Sequence, residues 1–234
     1  MTESSPISLV CLDLAGIVID DSVVERAYAE AIATQGIVPG TQDYARSMVR
    51  FDRSRGRPPA SVLRELFEAD EVRAQVAALA FDRSFRAAAR RFGVSVPSTV
   101  ADAIGKAAGS GAQVVLVTVL SRSACGDLLG SLRDADLLLC ADDVPRSFPW
   151  PDPVLTAMLR LGTVDVREVA VVSATEDGVL SGCRAGAGLV AGIGSGPRRR
   201  AALREAGASH LLDSIAALSD LVTGLYEPGS GLEL

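Results

Sequence analysis

The sequence predicts an α/β chain: a doubly wound parallel sheet with an inserted all-α subdomain. Three observations predict it. Short apolar runs without alternation recur between helical stretches, the pattern of parallel strands covered on both faces. The stretch from about residue 20 to 97 has helical periodicity and no convincing strand. The first apolar run, Leu9-Val10-Cys11-Leu12, delivers a carboxylate, Asp13, to a strand end, where open α/β sheets place their ligand crevice.

The elements follow in order. After the first strand, Gly16 lets the backbone turn close to whatever Asp13 faces. Asp20-Asp21-Ser22 starts a helix, with Glu25 completing a capping box on Ser22 and Val24, Ala27, Tyr28, Ala31 and Ile32 as its apolar face. Pro39-Gly40 breaks the chain, and a short helix spans 41–48. Residues 50–59, charged and Gly/Pro-bearing, read as a loop. Helices are expected at 61–67, 71–80 and 81–92. Beyond residue 97 strands and helices alternate: helix 98–109, strand 113–119, helix 123–132, strand 137–140, helix 153–161, strand 169–172, helix 179–185, strand 189–193, helix 197–206, strand 211–212 and helix 215–225. Right-handed crossovers put the strand-end loops on one edge, so Asp13, Thr118, Asp142, Asp143, Glu176 and Asp177 are expected around one crevice.

Composition narrows the function. No apolar run approaches the length of a membrane helix, and residues 1–6 lack the basic start of a signal peptide. The four cysteines, Cys11, Cys125, Cys140 and Cys183, stand singly, without CxxC spacing, and read as buried free thiols in a reducing cytoplasm. A net charge of −6 disfavours nonspecific nucleic-acid binding. The expectation is a cytoplasmic protein with a small-molecule substrate and neither nucleic acid nor membrane as partner.

Several motifs resemble those of the haloacid dehalogenase (HAD) superfamily, in particular its phosphonatase-like branch with a helical cap. Asp13-Leu14-Ala15-Gly16 is similar to that branch's Asp-x-Ala-Gly-Thr. Val117-Thr118 resembles the second motif. Asp142-Asp143-Val144-Pro145 with Pro149-x-Pro151 resembles the third, and Val171-Val172-Ser173-Ala174-Thr175 the fourth. The match runs from residue 7 to about 222. The resemblance implies a Rossmann-like core at 1–19 and 98–234, a helical cap at 20–97, and a homodimer formed through the cap. It also implies Asp13 as a covalent nucleophile, Thr118 as an oxyanion ligand, a basic residue from motif three and Mg²⁺ held by motif-four acids.

The sequence departs from that pattern at the charged positions. Ile17 replaces the motif-one Thr. Ser147 and Phe148 stand where Gly and the basic residue belong. The two metal carboxylates fall on Ala174 and Gly178, and the cap lysine's region reads Met48-Val49-Arg50-Phe51-Asp52. A phosphoryl group carries nearly two negative charges, and losing one stabilising group costs roughly 3 to 4 kcal/mol in the transition state. The leading expectation is therefore an atypical enzyme acting on a small molecule without Mg²⁺ or other cofactor. Asp13 is its nucleophile or general base and Thr118 accompanies it. Ala15, Gly16, Arg122, Arg146, Phe148, Trp150 and Ser173 are the candidate substrate contacts. In a second reading an ordinary phosphatase or phosphonatase-like hydrolase keeps Mg²⁺ through Asp13, Glu176 and Asp177. In a third the fold serves noncatalytic binding.

Each candidate has a plainer reading. Asp13 and Thr118 can serve strand-end geometry, and Arg122 a helix start on the surface. Phe148 and Trp150 can pack their loop against the cap. The arginines at 46, 50, 53, 55 and 57, and the run Arg198-Arg199-Arg200, read as solvated faces, and the single His210 as structural.

Overall fold

The computed structural model describes residues 7–92, 96–126 and 135–223. Six parallel strands form one sheet in the order β3-β2-β1-β4-β5-β6. They are β1 (Leu9–Asp13), β2 (Gln113–Val117), β3 (Leu137–Leu139), β4 (Val169–Ser173), β5 (Leu189–Ile193) and β6 (His210–Leu212). The order reverses beside β1: the chain builds outward through β2 and β3, then returns to β4 on the other flank. That switch point opens a crevice at the carboxyl ends of β1 and β4. Strand β1 is buried on both faces, with Leu9, Val10 and Leu12 inaccessible to solvent. Each such side chain contributes about 1.5 to 3 kcal/mol by leaving water, so the strand delivering Asp13 is held firmly.

Four helices fill the segment between β1 and the next core helix: α1 (Asp21–Ala33), α2 (Gln42–Arg53), α3 (Pro59–Leu66) and α4 (Glu71–Phe92). No strand occurs among the described residues there. After them come α5 (Ser98–Gly109), α6 (Arg122–Cys125), α7 (Asp152–Leu161), α8 (Glu176–Ala185), α9 (Pro197–Glu205) and α10 (Leu218–Val222). One buried cluster joins Val10, Leu12 and Leu116 of the sheet to Tyr28 and Ile32 of α1, Leu63 of α3 and Phe81 and Phe85 of α4. A second covers the other face with Leu9, Val115, Val171, Phe148 and Met158.

Several element boundaries differ from those expected. Asp20, not Ser22, caps α1, its carboxylate accepting the Ser22 N–H at 2.7 Å. Helix α2 continues through the expected loop to Arg53, because the next residue with positive φ after Gly40 is Gly56. The two helices expected at 71–80 and 81–92 are one, α4, since no breaker separates Ala80 from Phe81. The helices expected over 123–132 and 215–225 are seen as α6 and α10, and their remainders lie outside the described residues. No described helix is long and apolar enough to cross a membrane.

Candidate active site

Asp13 ends β1 with 1% of its surface exposed, and three donors hold its carboxylate. The Ala15 N–H donates to Oδ1 at 3.0 Å. The Ser173 Oγ and Thr175 Oγ1 hydroxyls both donate to Oδ2, at 2.7 and 3.0 Å. The local fold explains the grouping. Leu9 to Leu12 of β1 pair with Val169 to Val172 of β4, so Ser173 leaves β4 beside Asp13. Thr175 is the N-cap of α8 and accepts the Gly178 N–H at 3.1 Å, while its own N–H donates to Ser173 Oγ at 2.9 Å. Gly16, at φ +68°, turns the chain away against the Ala174 Cβ.

Burial pushes the Asp13 carboxyl up to about 6, with Asp21 adding to the rise and the three hydrogen bonds opposing it. At neutral pH it is ionised, yet it holds a proton more readily than an exposed aspartate.

Beside the turn that follows Asp13 lies a cavity of about 50 Å³ between the sheet edge and the helical segment, lined by Asp13's neighbours Ala15 and Thr175. Ala15, Thr118 and Thr175 form its floor, and Asp21, Arg55, Gly56, Arg57 and Arg199 stand around it. A larger groove, about 680 Å³, adjoins it and shares Arg57, Pro59 and Val119. Arg146, Phe148, Trp150 and Asp177 line that groove. Arg57 forms an ion pair with Glu65 and lowers Asp177, whose carboxyl burial raises.

The structure thus gathers Asp13, Ala15, Gly16, Thr118 and Ser173 at one point. Thr118 is buried, and its Oγ1 accepts the Leu120 N–H at 3.2 Å. Phe148, Arg146 and Trp150 belong to the neighbouring groove. Phe148 is buried in the core cluster and brings no charge to the groove it lines. Trp150 is half exposed, with the Arg146 and Arg184 guanidiniums 4.4 and 5.5 Å from its ring centre. Arg146 is tied to Asp152 at 3.0 Å. Arg122 lines neither cavity: its guanidinium pairs with Asp143 and its N–H donates to Asp142 at 2.8 Å. Glu176 is exposed on the first turn of α8.

Two contributors escaped the sequence. Thr175 bonds Asp13 directly, a role hidden in an ordinary N-cap. Arg199 reaches the cavity and donates to the Ala174 carbonyl. Its only signal was a position just after β5, at the same sheet edge.

The site's geometry can be set beside known proteins. No protein-family model matches the chain. The phosphonoacetaldehyde hydrolase of Pseudomonas fluorescens is 40% identical over 62 residues, which cover 26% of this chain and 22% of that protein. A phosphonoacetaldehyde hydrolase-like protein from Oleispira antarctica superposes with a TM-score of 0.76 at 18% identity, over 95% of this chain and 93% of its own. A candidate haloacid dehalogenase-like hydrolase from Bacteroides fragilis gives 0.70 at 14% identity, over 90% and 99%. The chain has the haloacid dehalogenase fold. The curated relative is matched over less than a quarter of its length, and the structural likenesses establish the architecture.

These comparisons correct one expectation, that of a site without cofactor. Nothing in them supports it, and phosphatases and phosphonatases of this HAD fold typically require Mg²⁺. The donor set fits Mg²⁺ only in a reduced form. A side chain at position 178 would begin 2.9 Å from Asp13 Oδ2, so Gly178 removes a donor from the nearest spot. Among the described residues, the one group of three acidic or thiol ligands within mutual reach is Cys140, Asp142 and Asp143, without Asp13. Asp13 with Asp21 at the small cavity and Asp177 in the adjoining groove are the carboxylates the crevice offers, and Mg²⁺ sites commonly use one or two carboxylates plus water and substrate oxygens.

Proposed function

We propose that this chain is a HAD-fold hydrolase acting on a small anionic substrate, with Asp13 as its nucleophile. The observation that carries the reading is the buried Asp13 carboxylate, fixed by three donors beside the cavity. Oδ2 accepts two hydroxyls, whereas Oδ1 accepts a single N–H and keeps a lone pair for attack. Burial keeps that oxygen basic, which favours bond formation to an electrophilic centre. Ser173 and Thr175 prevent the carboxylate from rotating as the bond forms, so little reorganisation is required. Thr118, just beyond the end of the adjacent strand, borders the same cavity. Mg²⁺, where bound, supplies positive charge against the substrate's oxygens, and Asp13 and Asp177 would hold it.

The larger groove accommodates the rest of the substrate, with Phe148 as its apolar wall and Trp150 at its rim. The experiment is hydrolysis of p-nitrophenyl phosphate and of phosphonoacetaldehyde by wild type and Asp13→Asn in Mg²⁺ buffer. Turnover by the wild type, its loss in the variant, and a phosphoryl adduct on the peptide bearing Asp13 after acid quench are expected. Equal turnover by both proteins rules the assignment out.

A further inference from the structure

The cavity beside Asp13 has an uneven charge balance. Three arginines border it. Arg55 is paired with Asp21 and Asp52, and Arg57 with Glu65. Arg199 has no carboxylate partner among the described residues. Its one hydrogen bond among the described residues goes to the Ala174 carbonyl, and a guanidinium carries five N–H donors.

The arm of Arg199 is also seated. A Cβ at Gly194 would meet Arg199 Cγ at 2.6 Å and Cβ at 3.6 Å, so the stem lies directly over bare backbone at the end of β5. A Cβ at Gly16 would stand 3.9 Å from its Nη2, which puts the guanidinium beside the Asp13–Gly16 turn. Thr118 lines the same small space and offers a hydroxyl proton, since its Oγ1 accepts the Leu120 N–H and donates to nothing among the described residues, whereas the Thr175 proton is taken by Asp13. A planar cation with donors to spare, the Thr118 hydroxyl and a cavity of this size form a receptor for one oxyanion.

We propose that Arg199 binds the anionic group of the substrate, reaching it from the β5–α9 side of the crevice. It supplies charge from the flank opposite Phe148. The ligand chemistry is a tetrahedral or planar oxyanion: a phosphate, phosphonate or carboxylate. The inference rests on the hydrolase reading for the word substrate, but its test does not depend on turnover.

The test is calorimetric titration of inorganic phosphate, and separately of acetate, into the wild type, Asp13→Asn, Arg199→Ala, Arg199→Lys and Gly194→Ala in Mg²⁺ buffer. Unchanged circular dichroism and melting temperature establish that each variant is folded. Arg199→Ala is expected to weaken phosphate binding about 10- to 100-fold, the size of one or two charge-assisted contacts. Arg199→Lys recovers part of the loss, because the charge returns without the fork. Gly194→Ala, which displaces the stem and keeps the charge, falls between. Tighter phosphate than acetate assigns a tetrahedral anion, and the reverse a carboxylate. Binding by wild type and Asp13→Asn without any hydrolysis leaves Arg199 in place and removes only the hydrolase reading. Equal affinity in wild type and Arg199→Ala overturns the proposal, and so does the absence of saturable binding of either anion to the wild type.

Discussion

Replacing Asp13 by asparagine should stabilise the protein at neutral pH, and the structure sets the size of the effect. Burial lifts the folded-state carboxyl to about 6, from 3.8 when unfolded. The folded chain therefore binds this proton more tightly than the unfolded chain does. The cost is absent below the unfolded value and complete above about 6. A rise of about two pH units at about 1.4 kcal/mol each gives about 3 kcal/mol at pH 7 and above. Asparagine is neutral, can accept the Ala15 N–H, and can donate to Ser173 Oγ and Thr175 Oγ1 if those hydroxyls turn. Urea denaturation with chelator present measures the outcome. The stability gap between Asp13→Asn and wild type should widen by most of about 3 kcal/mol between about pH 4 and about pH 7.5. A gap that stays constant over that range refutes the reasoning, because it means the buried carboxylate carries no ionisation penalty.

Other predictions follow from the same cluster. Ser173→Ala removes a donor that favours the charged carboxylate. The rising acid limb of the pH–rate profile, centred near Asp13's value of about 6, should then move to higher pH, as read by rates at fixed substrate. Gly178→Ala would place a methyl 2.2 Å from Ser173 Oγ, and thermal melts should show a loss of about 1 to 3 kcal/mol as β4 and α8 are forced apart. Mg²⁺ titrated calorimetrically with phosphate present should bind the wild type. Binding should weaken in Asp177→Ala and vanish in Asp13→Ala, while heats independent of both residues would remove them as ligands.

The sheet was legible because parallel strands buried on both faces must be apolar throughout. The runs at β1, β2 and β4 leave no other reading. Asp13 was legible for the same reason, as the acid that ends the first of them. Helix ends in the segment before α5 were less so: α2 overran its charged C-terminal half because Arg50 and Arg53 are good helix formers at the negative end of the dipole. Arg199 stayed hidden because three successive arginines look solvated in one dimension. What brings one of them inward is a glycine five residues earlier, whose missing side chain becomes a channel only after β5 and α9 fold together. Thr175 was obscured by its cap role, since nothing local shows that its hydroxyl also meets a carboxylate from β1, 162 positions away.

The apolar cluster that runs from Val10 and Leu12 into Tyr28, Leu63 and Phe85 has a mechanical consequence. The helices above the crevice cannot lift away as a free lid without tearing hydrocarbon from hydrocarbon. The stretch between α2 and α3 lines the cavity with Arg55, Gly56, Arg57 and Pro59, and Gly56 rests against Thr175. With their apolar side chains in one shared cluster, sheet and helices should denature together.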